Sequence, residues 1–312
     1  MEEQPIDCPD AIESSASEDE QPPRAVAPAW HTIVFMVAVI VLSWRSADRF
    51  QAGHGEINRP ILYATMAASQ LVMIAWVLIG LRIRKVHLHS ITGVFRWNPR
   101  ALAVDLGIAT LFWICSMMVL ASFGVMWMKV EQMIVRPHAA PITMQSAPIK
   151  APPPAMPVQS PSIAVSSASS SSASTSSASI TLRPKLTDEQ RSTLAVIGRL
   201  APANAWEVMG WILLSLLAGC CEEIVFRGYL QRQFVTLMRG GLVGAVLLSA
   251  LCFGAAHAYQ GARGMFLIGI YGVLFSLLAL VRGSLRPGMI AHGWHDLMTG
   301  LAVAMLHAYH VF

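Results

Sequence analysis

Long apolar runs, separated by short polar stretches, are the feature that most restricts the fold of this chain. The 312 residues are 54% hydrophobic and only 13% charged, with a mean hydropathy of +0.53. Average soluble domains carry about 25% charged residues. In lipid, backbone polar groups must be hydrogen-bonded internally, so apolar runs of membrane length form helices. The sequence therefore predicts an all-α protein, a polytopic transmembrane helical bundle.

The apolar runs predict about seven membrane spans. They cover residues 30–44, 61–83, 101–128, 205–238, 241–257, 265–281 and 287–306. The first run is short for a crossing, which takes about 20 residues. The polar stretch that follows it, residues 46–60, contains glycine and proline and is predicted to be a loop.

Two stretches of different composition divide the chain. Residues 1–29 are acidic and have no apolar period, which is typical of a disordered tail. Residues 129–190 are rich in proline and then in serine and alanine, as in a low-complexity linker. The linker separates an N-terminal three-helix membrane region, residues 30–128, from a catalytic membrane domain, residues 191–312. The acidic start argues against a cleaved signal peptide, so we expect the first run to be a retained helix.

Charge and cysteine usage exclude other classes of protein. The net charge is only +4, and no stretch combines basic and aromatic residues as a nucleic-acid groove does. We therefore expect no nucleic-acid partner. The five cysteines show no spacing typical of a disulfide framework.

Two adjacent glutamates interrupt the fourth apolar run. Ionisable groups within a membrane cost about 2.5 to 3.5 kcal/mol each on insertion scales, so they are usually paired or functional. Glu223 and Arg227 stand four residues apart, on one face of a helix, and can pair. Glu222 points about 100° away from this pair and has no cation nearby in sequence. Glu222 is therefore the carboxylate expected to react.

Two histidines also lie in apolar runs. His257 follows Phe253 by four residues, and His292 precedes Asp296 by four residues, which places each pair on one helix face. A buried carboxylate with two imidazoles could deprotonate a water molecule and stabilise an oxyanion. Alternatively, Glu222, His257 and His292 could bind a divalent metal such as Zn²⁺ with one open position. The chain has no HExxH motif, so we favour the glutamate-activated water and keep the metal open.

Three motifs occur in a fixed order, each within an apolar run. They are Glu222-Glu223-xxx-Arg227, Phe253-xxx-His257 and His292-xxx-Asp296. Together they resemble the CAAX-protease and bacteriocin-processing (CPBP, or Abi) intramembrane endopeptidases, relatives of the Ras-converting CAAX prenyl endopeptidase. The resemblance covers roughly residues 205–306.

The resemblance implies roles for the motif residues. In that family the first glutamate activates water, the second glutamate and the arginine support it, and the histidines and the last motif residue belong to the catalytic centre. On this chain these roles fall on Glu222, Glu223, Arg227, His257, His292 and Asp296. Asp296 stands where asparagine is commoner in the family, which alters oxyanion contacts or favours a cation.

The resemblance also implies a function and a location. It implies an endopeptidase that cleaves a membrane-associated peptide or protein tail, either CAAX-type or in bacteriocin or peptide processing. The expected partners are a peptide or a prenylated, lipid-associated protein, together with membrane lipids. The expected location is a bacterial cytoplasmic membrane, crossed several times. Two alternatives stay open: a catalytically silent bacteriocin-immunity or scaffold membrane protein, and a proton-coupled transporter, although no inverted repeat supports transport.

Overall fold

The protein is described here by a computed structural model that covers residues 24–52, 58–93, 98–135 and 198–308. Within these ranges every regular element is helical, and the only bridge is an isolated antiparallel one between Gly93 and Ser284. The prediction of an all-α fold is therefore confirmed. Most of the predicted acidic tail and most of the predicted linker lie outside the described residues.

The described helices follow one another along the chain in a fixed order. They are α1 Ala29–Ala52, α2 Arg59–Ile83, α3 Leu88–Thr92, α4 Pro99–Val135, α5 Ala205–Glu222, a π-helical segment Glu223–Leu230, α6 Gln231–Leu237, α7 Leu242–Ala255, a 3₁₀ turn Ala258–Gln260, α8 Gly261–Arg282 and α9 Arg286–Ala308. The stretch from α5 through the π segment to α6 is one continuous helix, as predicted for residues 205–238.

Helix α1 is longer than the sequence predicted. It continues to Ala52, so the predicted loop over residues 46–60 was wrong in its first half. The physical reason is that arginine, alanine and glutamine are good helix formers and that the first glycine after Trp44 is Gly53. Helix α2 begins where expected, with Asn58 accepting a hydrogen bond from the Ile61 N–H as an N-cap.

Five helical stretches in the described ranges are long and apolar enough to cross a membrane. They are Ala29–Ala47, Arg59–Ile83, Pro99–Met133, Ala205–Leu237 and Ala258–Arg282. Leu242–Ala255 is apolar but shorter. Large apolar side chains such as Leu71, Val72 and Leu213 are exposed on the outer surface, as expected for helices that face lipid. The protein is therefore an integral membrane protein, and the count of about seven spans stays a prediction.

The main core surrounds the π segment. Tyr229, Phe226 and Leu230 of this segment are buried against Phe253 of α7 and Ile91 of α3. The helices approach closely at small residues: a Cβ added at Gly219 of α5 would lie 2.7 Å from the backbone of α9. Small residues let membrane helices pack at short distance. The end of α5, just before the π segment, therefore packs closely against α9.

Polar bonds connect α1 to the C-terminal half. The Gln233 side chain accepts hydrogen bonds from the N–H groups of Val26 and Ala27 and donates to the Ala27 carbonyl. The Tyr229 hydroxyl lies 2.8 Å from His31 Nδ1 and 2.9 Å from Thr32 Oγ1. Because buried polar groups require partners, these bonds fix where α1 sits on the bundle.

Candidate active site

The π segment carries a buried ion pair at its start. Glu223 is fully buried, and its Oε1 atom lies 3.0 Å from Arg227 Nη1, so the predicted pair forms. The Arg227 guanidinium lies 4.2 Å from the centre of the Phe253 ring, a cation–π contact, and also donates to the Gly272 carbonyl. π-helical turns are frequently found at functional sites, and here one begins directly after Glu222.

Glu222 lies in a different environment from its neighbour. Its Oε1 atom accepts a hydrogen bond from Gln70 Nε2 of α2 at 2.6 Å. Its Oε2 atom is buried and has no hydrogen-bond partner within the described part of the chain. That atom lies 3.9 Å from His257 Nε2 and 3.7 Å from His292 Nε2. Two imidazoles therefore face the free oxygen of this carboxylate.

The hydrogen bonds of the two histidines define which ring nitrogens face Glu222. His257 Nδ1 lies 2.9 Å from the Phe253 carbonyl oxygen, and His292 Nδ1 lies 3.1 Å from Glu223 Oε1. A carbonyl or carboxylate oxygen only accepts, so both Nδ1 atoms carry hydrogen and donate. In the neutral rings, both Nε2 atoms are then free to accept a hydrogen bond beside Glu222.

Asp296 extends the cluster toward solvent-accessible space. Its Oδ2 atom lies 3.8 Å from His292 Nε2, and its side chain is 30% exposed, whereas that of His292 is 5% exposed. The Asp296 carbonyl accepts a hydrogen bond from Trp211 Nε1 of α5. The i,i+4 spacing of His292 and Asp296 therefore places both on one face of α9, as predicted.

The cluster opens on a cavity of about 170 Å³. Glu222, His257, His292 and Asp296 line it on one side, and Trp211 is one of the apolar side chains on its wall. Separations of 3.7 and 3.9 Å between polar atoms are too long for direct hydrogen bonds but suit a bridging water. The arrangement can hold a water molecule between a carboxylate and two imidazoles.

The metal alternative fits this geometry less well. A zinc site needs its nitrogen and oxygen ligands at about 2.0 to 2.2 Å from one point. Within the described residues, no group of three or more histidine, cysteine, aspartate or glutamate side chains is arranged to hold a metal ion. Glu222, His257 and His292 therefore do not form a ready ligand set.

All six predicted site residues come together around this cavity or directly behind it. The sequence analysis did not single out other residues that line the cavity, among them Gln70, Tyr259 and His295. The His295 ring packs against Tyr271. Gln70 carries the only side-chain amide in an otherwise apolar span, and this was the signal that could have singled it out.

The helical fold and the cluster of side chains together indicate a class of protein. It is a membrane protein whose buried site has the groups needed for general acid–base chemistry. Residues 204–298 match the model of the Rce1-like family, described as type II CAAX prenyl endopeptidases. This part of the chain belongs to that family of membrane proteases and contains all three motifs, so the family recognised from the motifs is confirmed. Searches of curated proteins and of solved structures returned no match.

Proposed function

We propose that the protein is an intramembrane endopeptidase that hydrolyses a peptide bond with water activated by Glu222. The observation that carries this proposal is the free Oε2 atom of Glu222. It is buried, has no hydrogen-bond partner among the residues that the structure describes, and faces the Nε2 atoms of His257 and His292 at the cavity. An unpaired buried acceptor is costly unless it has a function or binds water.

The proposed reaction uses the water that fits between these groups. Glu222 removes one proton from the water as its oxygen attacks the carbonyl carbon of the substrate amide. In this step His257 is an imidazolium with hydrogen on both ring nitrogens, and it donates a hydrogen bond from Nε2 to the oxyanion that forms. Glu222 then returns the proton to the amide nitrogen as the carbon–nitrogen bond breaks. The products are a carboxylic acid and an amine.

Three other residues have supporting roles in this proposal. Glu223 accepts the Nδ1–H bond of His292 and holds its ring toward Glu222, while Arg227 balances the charge of Glu223. Asp296 faces the cavity beside His292 and is the group closest to an entering substrate amide or amine. The roles of these residues are part of the proposal.

The proposed substrate is a membrane-associated peptide or protein tail, in the first place a prenylated one. The matched family is described by its action on CAAX prenyl proteins. The cavity wall supports an apolar ligand, because Trp211, Leu214 and Ile268 contribute to it. We also propose that residues 191–312 are the catalytic region, that residues 30–128 support it, that residues 129–190 link the two, and that the protein lies in a bacterial cytoplasmic membrane.

The test is cleavage by the protein purified in detergent. Fluorescence-quenched peptides would be supplied in pairs of identical sequence, one farnesylated and one unmodified, and products identified by mass spectrometry. The proposal predicts cleavage at one bond, faster for the farnesylated member. Cleavage of both members at equal rates would contradict the prenyl preference alone. Absence of cleavage by folded protein would overturn the peptidase function in favour of a silent immunity or scaffold protein.

A further inference from the structure

Gln70 is a hydrogen-bond partner of Glu222 that comes from outside the matched family segment. It lies on α2, in the N-terminal region, and Glu222 lies at the end of α5. The two residues are 152 positions apart, and their side chains meet at 2.6 Å in a buried position. Residues 204–298 therefore do not contain every group that touches the reactive carboxylate.

The direction of this hydrogen bond follows from its acceptor. An ionised carboxylate only accepts, so the amide nitrogen of Gln70 must be the donor. The bond occupies Oε1 of Glu222, which leaves Oε2 facing the two histidines. Hydrogen bonds to a charged group are stronger than neutral ones, and removing one favours the uncharged form of that group. Gln70 thus both orients Glu222 and stabilises it as an anion.

Packing alone does not account for Gln70. The side chain lies in a helix of high apolar content, is 8% exposed, and lines the cavity. Its own carbonyl oxygen is buried and finds no hydrogen-bond partner among the described residues. A residue that only filled space here would be apolar, because burying an amide with one unpaired atom costs free energy. The position therefore indicates a functional requirement for the amide.

We propose that Gln70 is a positioning residue for Glu222, so that helix α2 of the N-terminal region is part of the catalytic centre. This inference rests on the proposed role of Glu222 as the base. Gln70 acts through Glu222 and makes no contribution to bond making of its own. The N-terminal helices are accordingly required for the reaction and not only for anchoring.

The first readout needs no substrate. A hydrophobic carbodiimide reacts with protonated carboxyls inside membranes, and mass spectrometry of the full-length protein gives the labelled fraction of Glu222 against pH. Gln70→Met keeps the side-chain length and removes the donor. We expect its labelling curve to shift to higher pH by about one unit or more, the size of one charge-assisted hydrogen bond. Gln70→Asn, a shorter amide, is expected to shift the curve less.

The Gln70 variants leave the other groups around Glu222 unchanged. The titratable or charged groups near it are His257, His292, Asp296, Tyr259, Glu223 and Arg227. None is altered in the Gln70 variants. Ser69→Ala is the matched control, since Ser69 is exposed on the same helix and bonds only to the Met66 carbonyl within the described residues. It should label like the wild type.

The second readout is steady-state kinetics on a peptide that the wild type cleaves. Gln70→Met should lower kcat by about tenfold or more and leave KM nearly unchanged, with partial recovery in Gln70→Asn. A labelling curve of Gln70→Met that coincides with the wild type would overturn the proposal. If the wild type cleaves no peptide, the proposed function fails, and the labelling curve still decides whether Gln70 holds Glu222.

Discussion

The two adjacent glutamates show how one helix can give neighbouring carboxylates different tasks. Glu223 is fully buried and bonded to Arg227 and His292, whereas Glu222 presents a free oxygen to the cavity. Their side chains point about 100° apart because successive helical residues do so. One carboxylate therefore stabilises the centre and the other is available for proton transfer.

The buried ion pair leads to a stability prediction. Arg227→Met would leave the Glu223 carboxylate buried without its cation, and removing one partner of such a pair typically costs about 3 to 5 kcal/mol. We expect a lower free energy of unfolding, measured by intrinsic fluorescence of the detergent-solubilised protein. Arg84→Met is the control, because Arg84 is exposed at the end of α2. Equal stability of the two variants would show that Arg227 does not neutralise Glu223.

At the scale of single residues, the sequence predicts pairs of side chains that lie about one helical turn apart. The pairs Glu223–Arg227 and His292–Asp296 follow from a spacing of four residues. The bond from Gln70 to Glu222 does not, because it joins two helices whose packing no local period encodes. The pairing of buried Asp105 with Arg282 and Arg286 is not predicted for the same reason, since it joins α4 to residues about 180 positions later.

At the element scale, the sequence predicts most of the helices but not the irregular turn in the longest one. The apolar run over residues 205–238 indicates a helix, and the chain is helical to Leu237. The sequence has no feature that distinguishes the π segment Glu223–Leu230 from the α-helix that it continues. The position of the π segment depends on the burial of Glu223 and Arg227 against α7 and α9. Such contacts between helices cannot be predicted from the local sequence.

Close packing of α5 against α9 gives a second prediction. A Cβ at Gly219 would lie 2.7 Å from the Gly293 nitrogen and the Met289 oxygen, which are backbone atoms and cannot move aside. Gly219→Ala should therefore lower the free energy of unfolding by about 1 to 3 kcal/mol. The measurement is the detergent-unfolding midpoint.

The control for this variant is Gly107→Ala in α4. No neighbouring helix in the described ranges comes within 4 Å of a Cβ at Gly107, so alanine should raise stability by about 0.5 to 1 kcal/mol through its helix propensity. If Gly219→Ala were as stable as Gly107→Ala, α5 and α9 would not be in the close contact described.

At the scale of the whole molecule, the helix ends differ in charge. The end that holds the connection from α2 to α4 and the connection from α8 to α9 carries most of the basic residues. They are Arg82, Arg84, Lys85, Arg100, Arg232, Arg239, Arg282 and Arg286. The opposite end, with the starts of α2, α5 and α8 and the ends of α1 and α4, carries fewer of them, namely Arg45, Arg49, Arg59, Lys129, Arg199 and Arg263. The positive-inside rule assigns the basic end to the cytoplasm.

This orientation can be tested by labelling with a membrane-impermeant maleimide. With Cys8 replaced by serine, we expect Ala203→Cys to react in intact bacterial cells and His89→Cys to react only in inverted vesicles. Both positions are exposed at opposite helix ends. Lysed cells are the control, since both cysteines should react there. The reverse pattern would mean that the basic end faces outward.

The central claim is that Glu222 is the base of a peptidase, and the initial rate of peptide cleavage by Glu222→Gln tests it most directly. Proton transfer by a positioned base contributes about 100-fold to 10,000-fold, so the rate should fall by at least about 100-fold. Glu131→Gln is the matched control, because its amide oxygen can still accept the bond from Trp127, and it should cleave like the wild type. A Glu222→Gln rate within about twofold of the wild type would contradict the account.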